Sequence, residues 1–123
     1  MAYSSIKQFS KHEQHTSIIC QALAHPARLR IVGRIGRSKD KMLDFQSLAT
    51  DMPLSIPTIK QHVDYLRRRK VLILGKKGAD HVYKLNTSMP FLLNCIDGII
   101  DNHDLLSNSD IDNEIEEMGL ALM

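Results

Sequence analysis

Leu54-Ser55-Ile56-Pro57-Thr58-Ile59-Lys60-Gln61-His62-Val63-Asp64-Tyr65-Leu66-Arg67-Arg68-Arg69-Lys70-Val71-Leu72-Ile73-Leu74 is the stretch on which the fold turns. Ser55 is a good helix N-cap, and Pro57 falls in the first turn, where its missing N–H costs nothing. Ile59, Val63 and Leu66 are spaced i, i+4, i+7, which predicts a helix to about Arg69 or Lys70 with one narrow apolar stripe. Pro57, Gln61, Asp64 and Arg68 fall opposite the stripe, with Lys60 and Arg67 flanking. The pattern then changes from helical to extended. Val71–Leu74 is β-rich, Gly75-Lys76-Lys77-Gly78-Ala79-Asp80 is turn-like, and His81-Val82-Tyr83-Lys84-Leu85 alternates. This predicts a β-hairpin with a basic tip.

Upstream, Asp51-Met52-Pro53-Leu54 reads as a turn, preceded by a short helix over 44–50 with Phe45, Leu48 and Ala49 inward. Residues 26–37 read as a helix opened by Pro26, with Leu29, Ile31, Val32 and Ile35 on its apolar face and Arg28, Arg30, Arg34 and Arg37 covering the rest. Residues 4–24 read as a first helix from the spacing of Ile6, Phe9, Ile18, Ile19, Ala22 and Leu23, with a polar middle. Downstream, a helix is expected from Ser88 or Met89 to His103. The acidic tail after it holds a weak last helix through Ile111, Ile115 and Met118. The expected architecture is mainly α with a small β-hairpin (α+β): a winged helix-turn-helix body over 1–104 and an acidic tail over 105–123.

The 123 residues suit a single core. No apolar run reaches the roughly 18–20 residues of a membrane span, and the first residues lack the apolar core of a secretory signal, so the expected place is the cytoplasm. Cys20 and Cys95 are read as reduced, buried small hydrophobes. Charge is unevenly placed. All 16 Lys and Arg lie at or before Lys84 with six acids, so residues 1–84 carry +10; the other eight acids give residues 85–123 a charge of −8. A basic body suits a polyanionic partner.

A helix fills the major groove of double-stranded DNA when one face packs on the body and the other offers donors at groove depth. Ile59, Val63 and Leu66 supply the packing face, while Ser55, Thr58, Lys60, Gln61 and His62 supply the groove side. Gln61 can pair bidentately with adenine, and Lys60 can donate to guanine or phosphate. Arg67 and Arg68, with Arg69 and Lys70 beside them, stand where the helix leaves the groove and suit phosphate. Lys76, Lys77 and His81 bring charge to the hairpin tip.

Four runs in this order resemble the ArsR family of repressors: Ala24-His25-Pro26-Ala27-Arg28-Leu29-Arg30-Ile31-Val32, Leu54 to Val63, Leu66-Arg67-Arg68-Arg69-Lys70-Val71-Leu72, and Val82-Tyr83-Lys84-Leu85. The resemblance covers about residues 18–86. It implies a homodimer through the first and last helices, here Ile18, Ile19 and Leu23 against Phe91, Ile96 and Ile99, bound to a two-fold-symmetric operator. Ile56 and Lys60 depart from the family, in which polar and small hydroxyl residues often stand there. The departure puts Ile56 against a thymine methyl and implies a different operator.

The sensing half known in metal-binding relatives is not recognisable. The helix before the recognition helix has no Cys or His. Asp101, His103, Glu114 and Glu117 repeat a family metal spacing, but in the wrong place, so no metal is assigned. His12, His15 and Cys20 read as solvated or inert side chains. No catalytic arrangement is found, so an enzyme is not expected, and no cofactor is assigned. The expected function is a homodimeric DNA-binding repressor with an unidentified inducing signal. The alternative is a winged-helix protein-interaction module in which Ile56 and Pro57 meet a protein.

Overall fold

The structure, a computed structural model, describes residues 6–86, residue 94 and residues 108–122. The chain divides into two compact units, Met1–Met89 and Pro90–Met123. The helix expected over 88–103, Cys95 and the expected 104/105 boundary lie outside the described residues.

In the first unit, helix α1 spans Lys11–Leu23. It starts later than the expected residue 4. Ser10 and Glu13 form a capping box: Glu13 N–H donates to Ser10 Oγ (3.1 Å) and Ser10 N–H to Glu13 Oε1 (3.0 Å), which fixes the first turn there. Ile6 and Phe9 precede it and are exposed. Of the α1 side chains, Ala22 and Leu23 enter the core. Helix α2, Pro26–Arg37, is capped by His25 and buries Ala27, Ile31, Val32 and Ile35.

A two-residue strand, β1 (Met42–Leu43), follows. The sequence pattern predicts no strand at residues 42–43, which run into the short helix expected next. They are strand because they pair with the far edge of the hairpin, Met42 opposite Lys84 and Leu43 opposite Tyr83. Helix α3, Phe45–Ala49, is capped by Asp44, whose Oδ1 accepts from Ser47 N–H (2.7 Å), and its Leu48 is fully buried. Helix α4, Ile56–Arg68, begins at the Ser55 cap, as its sequence predicts. It ends in a Schellman motif: Val71 N–H donates to Leu66 O and Lys70 N–H to Arg67 O, both at 3.0 Å, with Lys70 at φ 65°.

Strands β2 (Leu72–Lys77) and β3 (Asp80–Leu85) form an antiparallel hairpin with Leu72 opposite Leu85 and Lys77 opposite Asp80. The loop is only Gly78-Ala79, shorter than the six-residue turn expected, and Gly78 sits at φ 64°, open to glycine without strain. The sheet order is β1-β3-β2. The core is one cluster: Ile31, Val32, Ile35, Leu48, Ile59, Val63, Leu66 and Val71 are each at most 1% exposed. Each such side chain contributes about 1.5–3 kcal/mol on burial, and together they hold α4 against α2 and β2. In the second unit, helix α5 spans Asn108–Leu122, with Ile115, Met118 and the acids Asp112, Glu114, Glu116 and Glu117 exposed.

Candidate nucleic-acid interface

Helix α4 is divided lengthwise. Ile59, Val63 and Leu66 are buried, while Ile56, Pro57, Lys60, Gln61, Arg67 and Arg68 are exposed on the other side. Ile56, 56% exposed, is the most open large apolar side chain of this helix. Ser55 Oγ accepts from Thr58 N–H (3.4 Å) and lies 2.8 Å from Thr58 Oγ1, so both hydroxyls are held at the helix start. Lys60 rests its ammonium 5.6 Å from the centre of the Phe45 ring on α3 and remains exposed.

His62, expected on the groove side, turns to the body instead. It is half-buried, its ring lies 4.4 Å from that of His25, and its Nδ1 accepts from Arg28 Nε (3.3 Å). Burial, His25 and Arg28 together hold its pKa below the ordinary histidine value. The spacing contained this signal: residues 59, 62, 63 and 66 are the full i, i+3, i+4, i+7 face.

Two of the arginines expected to cover α2 are spent inside the molecule. Arg28 stacks 3.9 Å from the Tyr65 ring centre and donates Nη1 to Ala22 O (3.3 Å). Arg34 donates Nη1 to Leu48 O (2.8 Å) and to Thr50 O, closing the end of α3 and the turn that feeds α4. Lys41 Nζ similarly donates to Gly36 O at the end of α2 (2.6 Å). The basic side chains left facing solvent along α4 and its end are Lys60, Arg67, Arg68, Arg69 and Lys70, with Arg68 and Arg69 near the Tyr65 ring at 6.0 and 5.3 Å.

At the hairpin tip Lys76 and His81 face each other across the strands and are exposed. Lys77 is tied in an ion pair with Asp40 from the loop before β1. The hydrogen bond between them lowers the Asp40 pKa and raises that of Lys77. Of the expected dimer residues, Ile18 is 39% exposed and Ile19 half-buried, whereas Leu23 is 4% exposed and belongs to the body's own core. Phe91, Ile96 and Ile99 lie outside the described residues. Cys20, expected to be buried, is exposed and free, because α1 turns only its last two residues inward. Among the described residues no three His, Cys, Asp or Glu side chains gather as a metal site, and no helix is long and apolar enough to cross a membrane. Asp101 and His103 are not among them.

No protein-family description and no curated protein matches the sequence. Solved structures do. HlyU from Vibrio cholerae is 21% identical with a TM-score of 0.59, covering 72% of this chain and 94% of its own. The transcriptional repressor PagR of Bacillus anthracis is 23% identical with a TM-score of 0.59, covering 69% and 95%. A homodimeric winged helix-turn-helix DNA-binding domain from Mycobacterium bovis, Mb0332, named a possible ArsR-family transcriptional regulator, is 16% identical with a TM-score of 0.62, covering 77% and 90%. The fold is the winged helix-turn-helix. In its terms α3 and α4 stand in the place of the helix-turn-helix, α4 in that of the recognition helix, and β2–β3 in that of the wing. Several solved structures sharing it are named as ArsR-family regulators or transcriptional repressors.

Proposed function

We propose that this chain is an ArsR-like, sequence-specific regulator that binds double-stranded DNA, acting in the cytoplasm as a homodimeric repressor relieved by a separate signal. The observation that carries this reading is the lengthwise division of α4. One face is locked in the core, and the other presents Lys60, Gln61 and Ile56 beside a row of four cations at the helix end. Lys60 and Gln61 read base edges, Ile56 packs on a thymine methyl, and Arg67, Arg68 and Lys76 contact phosphate. Ser55, Pro57 and Thr58 set the helix start against the DNA backbone, and His81 flanks the wing contact. The half-exposed Ile18 and Ile19 face of α1 supports pairing with a second copy.

A selection of bound sequences from random duplex DNA at fixed salt tests the reading. It should return a palindromic site bound at about 10⁻⁸–10⁻¹¹ M, with affinity falling steeply as salt rises. Lys60→Ala and Gln61→Ala should each cost about 1–3 kcal/mol of discrimination at one position, while Lys76→Ala should weaken all sequences alike. Absent or salt-insensitive binding would overturn the reading. The exposed Ile56 and Leu54 would then favour a protein-binding surface, tested by a stoichiometric partner that survives nuclease treatment.

A further inference from the structure

His25 and His62 are brought together from two elements. Their rings are 4.4 Å apart and tilted by 46°. His25 is the N-cap of α2, and its Nδ1 accepts from Ala27 N–H (3.1 Å). His62 lies on the recognition helix, and its Nδ1 accepts from Arg28 Nε (3.3 Å). An imidazole nitrogen that accepts carries no proton, so both rings are neutral with the proton on Nε2. We propose that the two histidines form a proton-operated latch that couples the start of α2 to the recognition helix.

The latch opens because a second ring proton converts each Nδ1 from acceptor to donor. At His25 this turns N–H against N–H and orphans the Ala27 amide. It also puts positive charge at the positive end of the α2 dipole. At His62 it turns Nδ1–H against the Arg28 guanidinium, which is also stacked on Tyr65 and bonded to Ala22 O. The groups facing the pair are Arg28 and Tyr65, with Arg30 beside His25 on the wall of a cavity of about 160 Å³ that also includes Met52, Pro53 and Leu54. Among the described residues no carboxylate faces the pair: Asp64, the acid of α4, lines the groove with Arg67, Arg68 and Lys70 on another side. Burial first, then Arg28, lowers the His25 pKa; burial, His25 and Arg28 lower that of His62. The folded state therefore disfavours protonation of both rings. Stability is full above the free histidine value of about 6.5 and falls as pH drops below it toward the lowered folded values. The cavity beside His25 gives water a route to the cap.

The test uses the full chain labelled with ¹⁵N in its histidine rings. At pH 8 both rings should show Nε2–H tautomers, and both should titrate below pH 6.5. Between pH 7.5 and 5.5 the folding constant should fall by up to about tenfold per ring, the bound set by the free pKa. The double variant His25→Asn, His62→Gln should remove that fall, since Asn still caps α2 and Gln still accepts from Arg28. Either ring found as Nδ1–H, or an equal pH dependence in wild type and double variant, would overturn the latch. Its effect on DNA rests on the proposed function: affinity should drop on acidification more in wild type than in the double variant. A chain that binds no DNA even at pH 7.5 counts against the function, while the tautomer and stability measurements still decide the latch.

Discussion

Replacing Arg34 with Ala removes the donor that closes the turn before the recognition helix. Its Nη1 serves two carbonyls, Leu48 O at 2.8 Å in a part-buried setting and Thr50 O in an exposed one. Water can replace the second bond at little cost. The first carbonyl belongs to a residue whose side chain is fully buried, and a charged hydrogen bond there is worth about 1.5–3 kcal/mol. The expected loss is thus about 2 kcal/mol, roughly 30-fold in the folding constant. For a body of about 80 residues this lowers the melting temperature by about 10 °C. Urea unfolding followed by circular dichroism at one fixed protein concentration measures it, and the midpoint should move without a change in slope. Arg30→Ala, an exposed change on the same helix, is the control. A loss below about 0.5 kcal/mol, or one equal to that of Arg30→Ala, refutes the clamp.

Lys70→Gly should raise stability by about 0.5–1 kcal/mol, because Lys70 holds a left-handed conformation at φ 65° that glycine adopts without strain; thermal melts check it. Asp40→Asn should free Lys77 and tighten DNA binding by about two- to fivefold at low salt, read by fluorescence anisotropy; equal affinity would mean that the ion pair does not compete. Asp44 accepts from Ser47 N–H, which lowers its pKa, so its contribution is present above the ordinary aspartate value and is lost as pH falls through the lowered one. Asp44→Asn should flatten the acid limb of the stability profile while still capping α3.

The recognition helix was legible because its signals are local. Ser55 and Pro57 mark its start, and the apolar stripe marks its buried face. Strand β1 was not, since two residues carry no period and Met42 and Leu43 become strand only through Lys84 and Tyr83, some forty residues away. The start of α1 was misjudged despite a local cue, as Ser10-x-x-Glu13 is a capping box in plain sequence. The site was legible as residue types but not as commitments. Arg28, Arg34 and Lys77 resemble Arg67 and Arg68 in sequence, and only packing shows that the first three already have partners. The inward turn of His62 was legible in its spacing with Ile59, Val63 and Leu66, but its pairing with His25, 37 positions away, was not.

Val71 has one amide group and one carbonyl, and both are engaged across element boundaries. Its N–H closes the recognition helix on Leu66 O, and its carbonyl accepts from Asn86 N–H at the base of the wing (3.0 Å). The side chain between them is fully buried. Helix and wing are therefore joined at one buried residue, like the two arms of a calliper at their pivot. If the proposed function holds, a signal that changes DNA binding moves helix and wing together at this joint.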